Sequence, residues 1–205
     1  MDAETRTHKD WIKHYEYLQD HGKYGAHPID LGRAVEMWAW ITAQLNAPAS
    51  VIDCSCGRGF LIKLLRDMGL VAEGTEASEY LVENVLKPMG LPVRRLFYAE
   101  LDTLPAKNWD VVVSNDVLEH LFDEEEVRAA LKELARMARR WLCISVGLRQ
   151  AARSLGGKFV FLHHVVRPPE WWLEEVGKVA DVVKHYPYHN TYFIFGIPKE
   201  PPPPQ

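Results

Sequence analysis

The run Val51-Ile52-Asp53-Cys54-Ser55-Cys56-Gly57-Arg58-Gly59 combines an acid, small residues and two glycines in an order that can hold a ligand. Val51 and Ile52 read as a buried strand. The chain then breaks at the glycines and resumes as an apolar run at helical spacing, Phe60, Leu61, Ile62, Leu64 and Leu65. A strand that turns directly into a helix presents bare N–H groups, and glycine lets a ligand approach the backbone closely. Asp53 at the strand end repels a phosphate and suits an amine, hydroxyls or a positive charge. No G-x-x-x-x-G-K-[ST] occurs, so a P-loop is excluded. Further acids recur at later strand ends: Glu76, Glu100 beside Leu101, and Asn115 with Asp116. Glu76 lies a little over twenty residues after Asp53, a spacing at which such folds place a carboxylate against a ribose diol. Histidines that could move a proton are His120, just past Asp116, and the pair His163 and His164.

Positioning these groups needs a sheet, and the pattern predicts one. Strands are expected at 69–76, 93–98, 109–115 and 141–146, with the valines of Trp109–Asn115 buried on both faces. Between them a helix opens at Ser78 as N-cap and ends at Pro88. Another starts at Asp123 and Glu126, which have capping-box spacing, and runs to about Arg140, where Arg136, Arg139 and Arg140 complement its dipole. Strand and helix in alternation make an open, doubly wound, mostly parallel α/β sheet with helices on both faces. Its ligand site is expected beyond the carboxyl ends of the strands. After a short helix at 168–176 carrying Trp171 and Trp172, two β-rich runs, 180–186 and 191–197, flank Pro187-Tyr188-His189-Asn190. This hairpin signal adds one antiparallel strand near the C-terminus.

Ahead of the glycine turn, helices are expected at 8–21 and from about Asp30, the second burying Leu31, Ala34, Val35, Trp38, Ile41 and Leu45. The aromatic content there reads first as packing. The sharper alternative is a lid over about 1–46 with Tyr15, Tyr17, Tyr24 and His27 facing substrate. With 205 residues and 47% hydrophobic content, residues 1–198 are expected to form one domain, followed by a disordered proline-rich tail over 199–205. A net charge of −4 argues against nucleic acid as partner, and no apolar run reaches membrane-span length. The three cysteines, Cys54, Cys56 and Cys143, make no disulfide framework, and a reducing, cytoplasmic location is the expectation.

Val51–Gly59, Gly74-Thr75-Glu76-Ala77-Ser78, Glu100–Pro105 and Trp109–Leu121 together resemble the seven-stranded, class I S-adenosylmethionine-dependent methyltransferases, strongly over residues 48–146. The resemblance implies S-adenosyl-L-methionine as cofactor. Asp53 would stand near the methionine amine, with Cys54, Cys56, Gly57 and Gly59 wrapping the methionine part. Glu76 and Ala77 would lie at the ribose, Glu100 and Leu101 at the adenine, and Asn115 and Asp116 at the methionine end. Cys54-Ser55, and Glu in place of Asp at 76 and 100, depart mildly from the family pattern. A cationic sulfonium suits such an acidic pocket, and the protein then supplies alignment and exclusion of water. The acceptor is expected to be a small molecule, methylated at a hydroxyl. The candidate base is His163, with His164 and His120 behind it, in or beside the substrate-facing stretch 147–167 that the family implies. Asp116-x-x-Glu119-His120 with a later histidine also resembles the metal set of O-methyltransferases of quinone biosynthesis and of small-RNA 3′ ends, but no metal is assigned. The alternatives are an N-directed or RNA-directed enzyme, a non-catalytic cofactor-binding subunit, and a nicotinamide enzyme, for which the third glycine is missing.

Overall fold

The structure is a computed structural model that describes residues 28–45, 49–155 and 158–200. The expected first helix at 8–21 and its neighbours Tyr15, Tyr17, Tyr24 and His27 lie outside the described residues, as does most of the proline tail. Helix α1 (Pro28–Gln44) leads to β1 (Ser50–Cys54), α2 (Phe60–Asp67) and β2 (Val71–Glu76). A short helix, α3, runs as one α turn over Glu79–Leu81 and as π-helix over Val82–Leu86. Then come β3 (Val93–Arg95), β4 (Trp109–Asn115), α4 (Glu124–Met137) and β5 (Ala138–Gly147). The chain continues through β6 (Ala152–Leu155), β7 (Lys158–Phe161), α5 (Pro169–Val179), β8 (Ala180–Tyr188) and β9 (Thr191–Pro198). Seven strands are hydrogen-bonded in the order β3-β2-β1-β4-β5-β9-β8, and β6 and β7 form a separate two-stranded sheet. The chain packs as two compact units, Met1–Ala49 with Asp53–Tyr98, and Ser50–Ile52 with Ala99–Gln205.

In the first unit, Gly59, at φ 74°, starts α2, which buries Leu61, Ile62 and Leu65 as their spacing predicts. Ser78 caps α3 as expected, its hydroxyl accepting from Leu81 N at 3.2 Å. The first described helix rotates relative to its expected face. Ala34, Met37, Trp40 and Ile41 are buried, while Leu31 and Val35 are 45% and 41% exposed. The 93–98 strand stops at Arg95, because from Tyr98 to Thr103 the chain coils into 3-10 turns.

The second unit holds the valine strand. Val111, Val112 and Val113 are fully buried in β4, which pairs in parallel with β5. Asp123 caps α4 by accepting from Glu125 N and Glu126 N, each at 2.9 Å, and Glu126 accepts from Phe122 N at 3.0 Å. The helix ends at Met137 rather than Arg140. Ala138 is already the first residue of β5 and pairs with Trp109, so Arg139 and Arg140 are strand residues. Arg136, left alone in the last helical turn, donates to the carbonyls of Leu101 and Leu104. The C-terminal hairpin is present with a tighter turn than expected, since β8 and β9 are separated by His189 and Asn190 alone, with His189 at φ 52°. Strand β9 is antiparallel to both its neighbours and lies between β5 and β8. The stretch 147–167, expected as loop, contains the β6–β7 hairpin. Gly156-Gly157 between two extended runs is the sequence signal for it.

Candidate active site

In the first unit the site is built on the backbone where β1 ends. Ser55, Gly57 and Gly59 all have positive φ, 68°, 54° and 74°. This conformation is cheap only for glycine, and Ser55 is held in it by Thr75, whose hydroxyl accepts from Ser55 N at 3.3 Å. Cys56 N donates to Thr75 O at 2.8 Å. A Cβ on Gly59 would lie 2.5 Å from Leu91 Cδ1 and 2.8 Å from Leu86 Cδ2, so this glycine is also needed for packing. Gly57 differs, since a Cβ there would meet nothing within 4 Å. That glycine borders open space.

Glu76 braces this turn. It is 2% exposed, with Oε2 accepting from Gly57 N at 2.9 Å and Oε1 from Ser78 N at 2.8 Å. Its carboxylate thus joins the glycine turn to the head of α3, a role beyond the ribose contact that the sequence suggests. Asp53 is 3% exposed, and its Oδ1 is buried without a hydrogen-bond partner. Burial, with the Glu76 charge adding to it, pushes the Asp53 carboxyl up to about 7. An orphaned oxygen on a carboxyl next to a second acid is costly without a donor or cation against it. Cys54 and Cys56 are buried free thiols whose pKa values burial pushes upward, so they are neutral wall and not nucleophiles. Tyr98 donates its hydroxyl to Cys54 O at 3.4 Å, and half-buried Ala77 follows Glu76 with its carbonyl accepting from Arg95 Nε at 3.3 Å.

In the second unit the groups gather beyond β4 and β5. Asp116, at φ 53°, takes its N–H to Ser145 O at 3.0 Å. The buried Ser145 hydroxyl contacts the side-chain oxygens of both Asn115 and Asp116, the latter at 3.0 Å. Next come Glu119 and His120 in a 3-10 turn (Leu118–His120). Glu119 is 1% exposed and its Oε1 accepts from Gly147 N at 2.7 Å. His120 Nδ1 lies 2.8 Å from Leu162 O and His163 Nδ1 lies 2.6 Å from Arg149 O. A carbonyl only accepts, so each Nδ1 carries the proton and each Nε2 is the basic nitrogen. The two rings meet edge to face with centroids 4.7 Å apart. Burial, reinforced by repulsion from His163, pushes His120 down to about 3, which leaves it a weak base at neutral pH. Ligand-type atoms of Glu119, His120 and His163 lie within 4.8 Å of one another.

A family model described as a methyltransferase domain matches residues 31–187. The chain belongs to this methyltransferase family. A search of the curated proteins found no match. Among solved structures, the methyltransferase is similar in fold to a protein of Pyrococcus horikoshii OT3, with a TM-score of 0.74 at 15% identity over 90% of this chain and 99% of that one. It is similar to magnesium protoporphyrin IX methyltransferase from Synechocystis PCC 6803 with bound SAM, TM-score 0.68, 18% identity, covering 97% and 100% of the two chains. It also resembles 1,6-didemethyltoxoflavin-N1-methyltransferase of Burkholderia thailandensis, crystallised with 1,6-didemethyltoxoflavin and S-adenosylhomocysteine, TM-score 0.70, 15% identity, covering 98% and 94%.

In this methyltransferase the structure brings Asp53, Cys54, Cys56, Gly57, Gly59, Glu76 and Ala77 into one cradle, and Asn115 and Asp116 onto Ser145. His120 and His163 share one contact, while His164 turns to Phe122, ring centroids 5.4 Å apart. Leu101 is buried and Glu100 is exposed in the 3-10 turns. Sequence reasoning missed Ser145, Gly74 and Gly147, and gave Glu119 no role beyond a resemblance. Gly74 leaves room where a Cβ would lie 3.1 Å from both Asp53 O and Cys56 Cβ. Its position in an otherwise regular strand was a usable signal.

Proposed function

We propose that the methyltransferase binds S-adenosylmethionine on the Asp53–Gly59 turn and transfers its methyl group to a hydroxyl of a small-molecule acceptor. The observation that carries this reading is the buried Asp53 carboxyl, with an orphaned oxygen, beside a glycine that borders open space. A cationic ligand supplies the donor that oxygen lacks. Asp53 would hold the amino group, Gly57 would admit the methionine part against backbone, and Gly59 would keep the turn packed on Leu86 and Leu91. Glu76, with two N–H donors already on it, would keep the turn in register and face the ribose. When bound, the cofactor supplies a methyl group on a cationic sulfur, ready for in-line displacement. Among the described histidines, His163 is the one we assign to take the acceptor's proton. Its Nδ1–H is fixed on Arg149 O, so its lone pair sits on Nε2, whereas His120 is held down to about 3 and is too weak a base.

Calorimetry with S-adenosylmethionine and S-adenosylhomocysteine tests the cofactor half: binding by the wild type, weakened in Asp53→Ala, is the expected result. An acceptor panel of phenols, sugars and amines with a labelled methyl donor tests the other half. Label on nitrogen would turn the reading to N-methylation. A second reading is favoured by the clustering of Glu119, His120 and His163: a divalent cation held there would polarise the acceptor hydroxyl in place of a base. Activity abolished by chelation and restored by one metal would select it.

A further inference from the structure

We propose that Glu119 is the positioning residue for the catalytic histidine, latching both ends of the β6–β7 hairpin so that His163 is presented at a fixed place. This rests on the assignment of His163 as base. The hairpin leaves β5 at Gly147 and returns at Leu162–Val165. At its exit from β5, Gly147 N donates to Glu119 Oε1 at 2.7 Å. At its return, His164 N and Val165 N both donate to Glu119 O, at 2.8 and 3.1 Å. One residue therefore holds the outgoing strand with its side chain and the incoming strand with its backbone. The neighbouring His120 adds a third tie through Leu162 O. The imidazole of His163 then crosses from the returning segment to Arg149 O on the outgoing one.

A second observation points the same way. An added Cβ on Gly147 would stand 2.7 Å from Glu119 Oε1 and 2.8 Å from His163 Cε1. The carboxylate and the imidazole thus press against one bare Cα, and the space a side chain would take belongs to both. The carboxylate is only 1% exposed, and the buried N–H that Oε1 receives fixes its orientation. Because Glu119 lies in the 3-10 turn shortly after β4, the latch refers His163 to the end of a buried strand. A two-point attachment at the base of an otherwise long arm is what holds a base to the fraction of an ångström that proton transfer needs.

The test combines amide hydrogen exchange with kinetics on the full chain. In Glu119→Ala, which removes the side-chain acceptor and keeps the backbone carbonyl, exchange at Gly147 should speed up by roughly tenfold or more. The turnover number should fall by roughly 10- to 100-fold while cofactor affinity changes by less than about threefold. Glu119→Gln, whose amide oxygen still accepts from Gly147 N, should restore protection and recover most of the loss. Gly147→Ala, which leaves the carboxylate in place and crowds the same space, should reproduce the Glu119→Ala defect and serves if that variant does not fold. In a His163→Ala background, Glu119→Ala should cost almost nothing further. Unchanged exchange, or a full additional loss without His163, overturns the latch. So does Glu119→Gln with protection restored but turnover as low as in the alanine variant, because a metal ligand behaves that way. The exchange readout needs neither cofactor nor acceptor, so it decides the latch even if the assigned reaction is wrong.

Discussion

The glycine turn after β1 and the histidine cluster after β4 are built on opposite principles. The turn is local. Nine consecutive residues form it, three in left-handed conformation, and Glu76 and Thr75 brace it from the adjoining strand. The cluster is assembled from three separate stretches, 119–120, 147–149 and 162–165, tied by backbone atoms as much as by side chains. A local, backbone-made cradle suits a ligand shared by a whole family. An assembly of distant pieces can vary its acceptor without disturbing the cradle. The difference predicts that damage should separate cleanly, cofactor affinity on one side and turnover on the other.

The largest expected effect is on turnover. His163→Ala should lower the turnover number by roughly 10²- to 10⁴-fold with cofactor affinity unchanged, measured by single-turnover methyl transfer. A loss confined to cofactor binding would merge the two regions. Next, Asp53→Ala should weaken S-adenosylmethionine by roughly 10- to 100-fold in calorimetry, the cost of losing a charged hydrogen-bond partner. The same site gives a pH signature. The Asp53 carboxyl lies at about 7 instead of its ordinary 3.8, so a cationic ligand must compete with a proton below pH 7. Affinity should rise about tenfold per pH unit up to that point and level off above it, and Asp53→Asn should abolish the slope.

Stability moves the other way. A carboxyl raised in the folded state favours folding at pH values below 3.8, loses that advantage as pH rises to about 7, and carries a constant penalty above. Asp53→Asn should therefore raise the unfolding free energy at pH 8, by up to a few kcal/mol at about 1.4 kcal/mol per pKa unit, read from urea titrations. A lower stability at pH 8 would mean that the acid is compensated by the protein itself. The smallest effect should come from Ser145→Ala. It removes the hydroxyl against Asn115 and Asp116 and should cost about 1 kcal/mol of stability with a modest rise in the Michaelis constant for S-adenosylmethionine.

The cradle was legible in the sequence because its determinants are contiguous. An acid, small residues and two glycines between a β-branched pair and a helical run admit few other conformations. The same holds for β4, whose valines allow only a buried strand, and for the Asp123 cap. Legibility fails where tertiary pairing overrides local preference. The end of α4 moved from Arg140 to Met137 because Ala138 pairs with Trp109, a contact invisible in helical periodicity. The face of α1 shifted toward Met37 and Trp40, since apolar residues fall on every side of that helix and packing alone selects among them. The positioning role of Glu119 was hidden because its partner Gly147 is 28 residues away and is an ordinary glycine in sequence.

The placement of β9 has a consequence for how the chain is made. Strand β5 receives β4 on one side early, but its other edge is filled only by Thr191–Pro198, which comes after β8 in the chain. During synthesis, or in any fragment ending before residue 191, Leu142–Gly147 presents open amides and carbonyls flanked mostly by apolar side chains. Such an edge invites pairing with a second nascent chain. Premature stops in this region should therefore surface as aggregates, not as weakened enzyme.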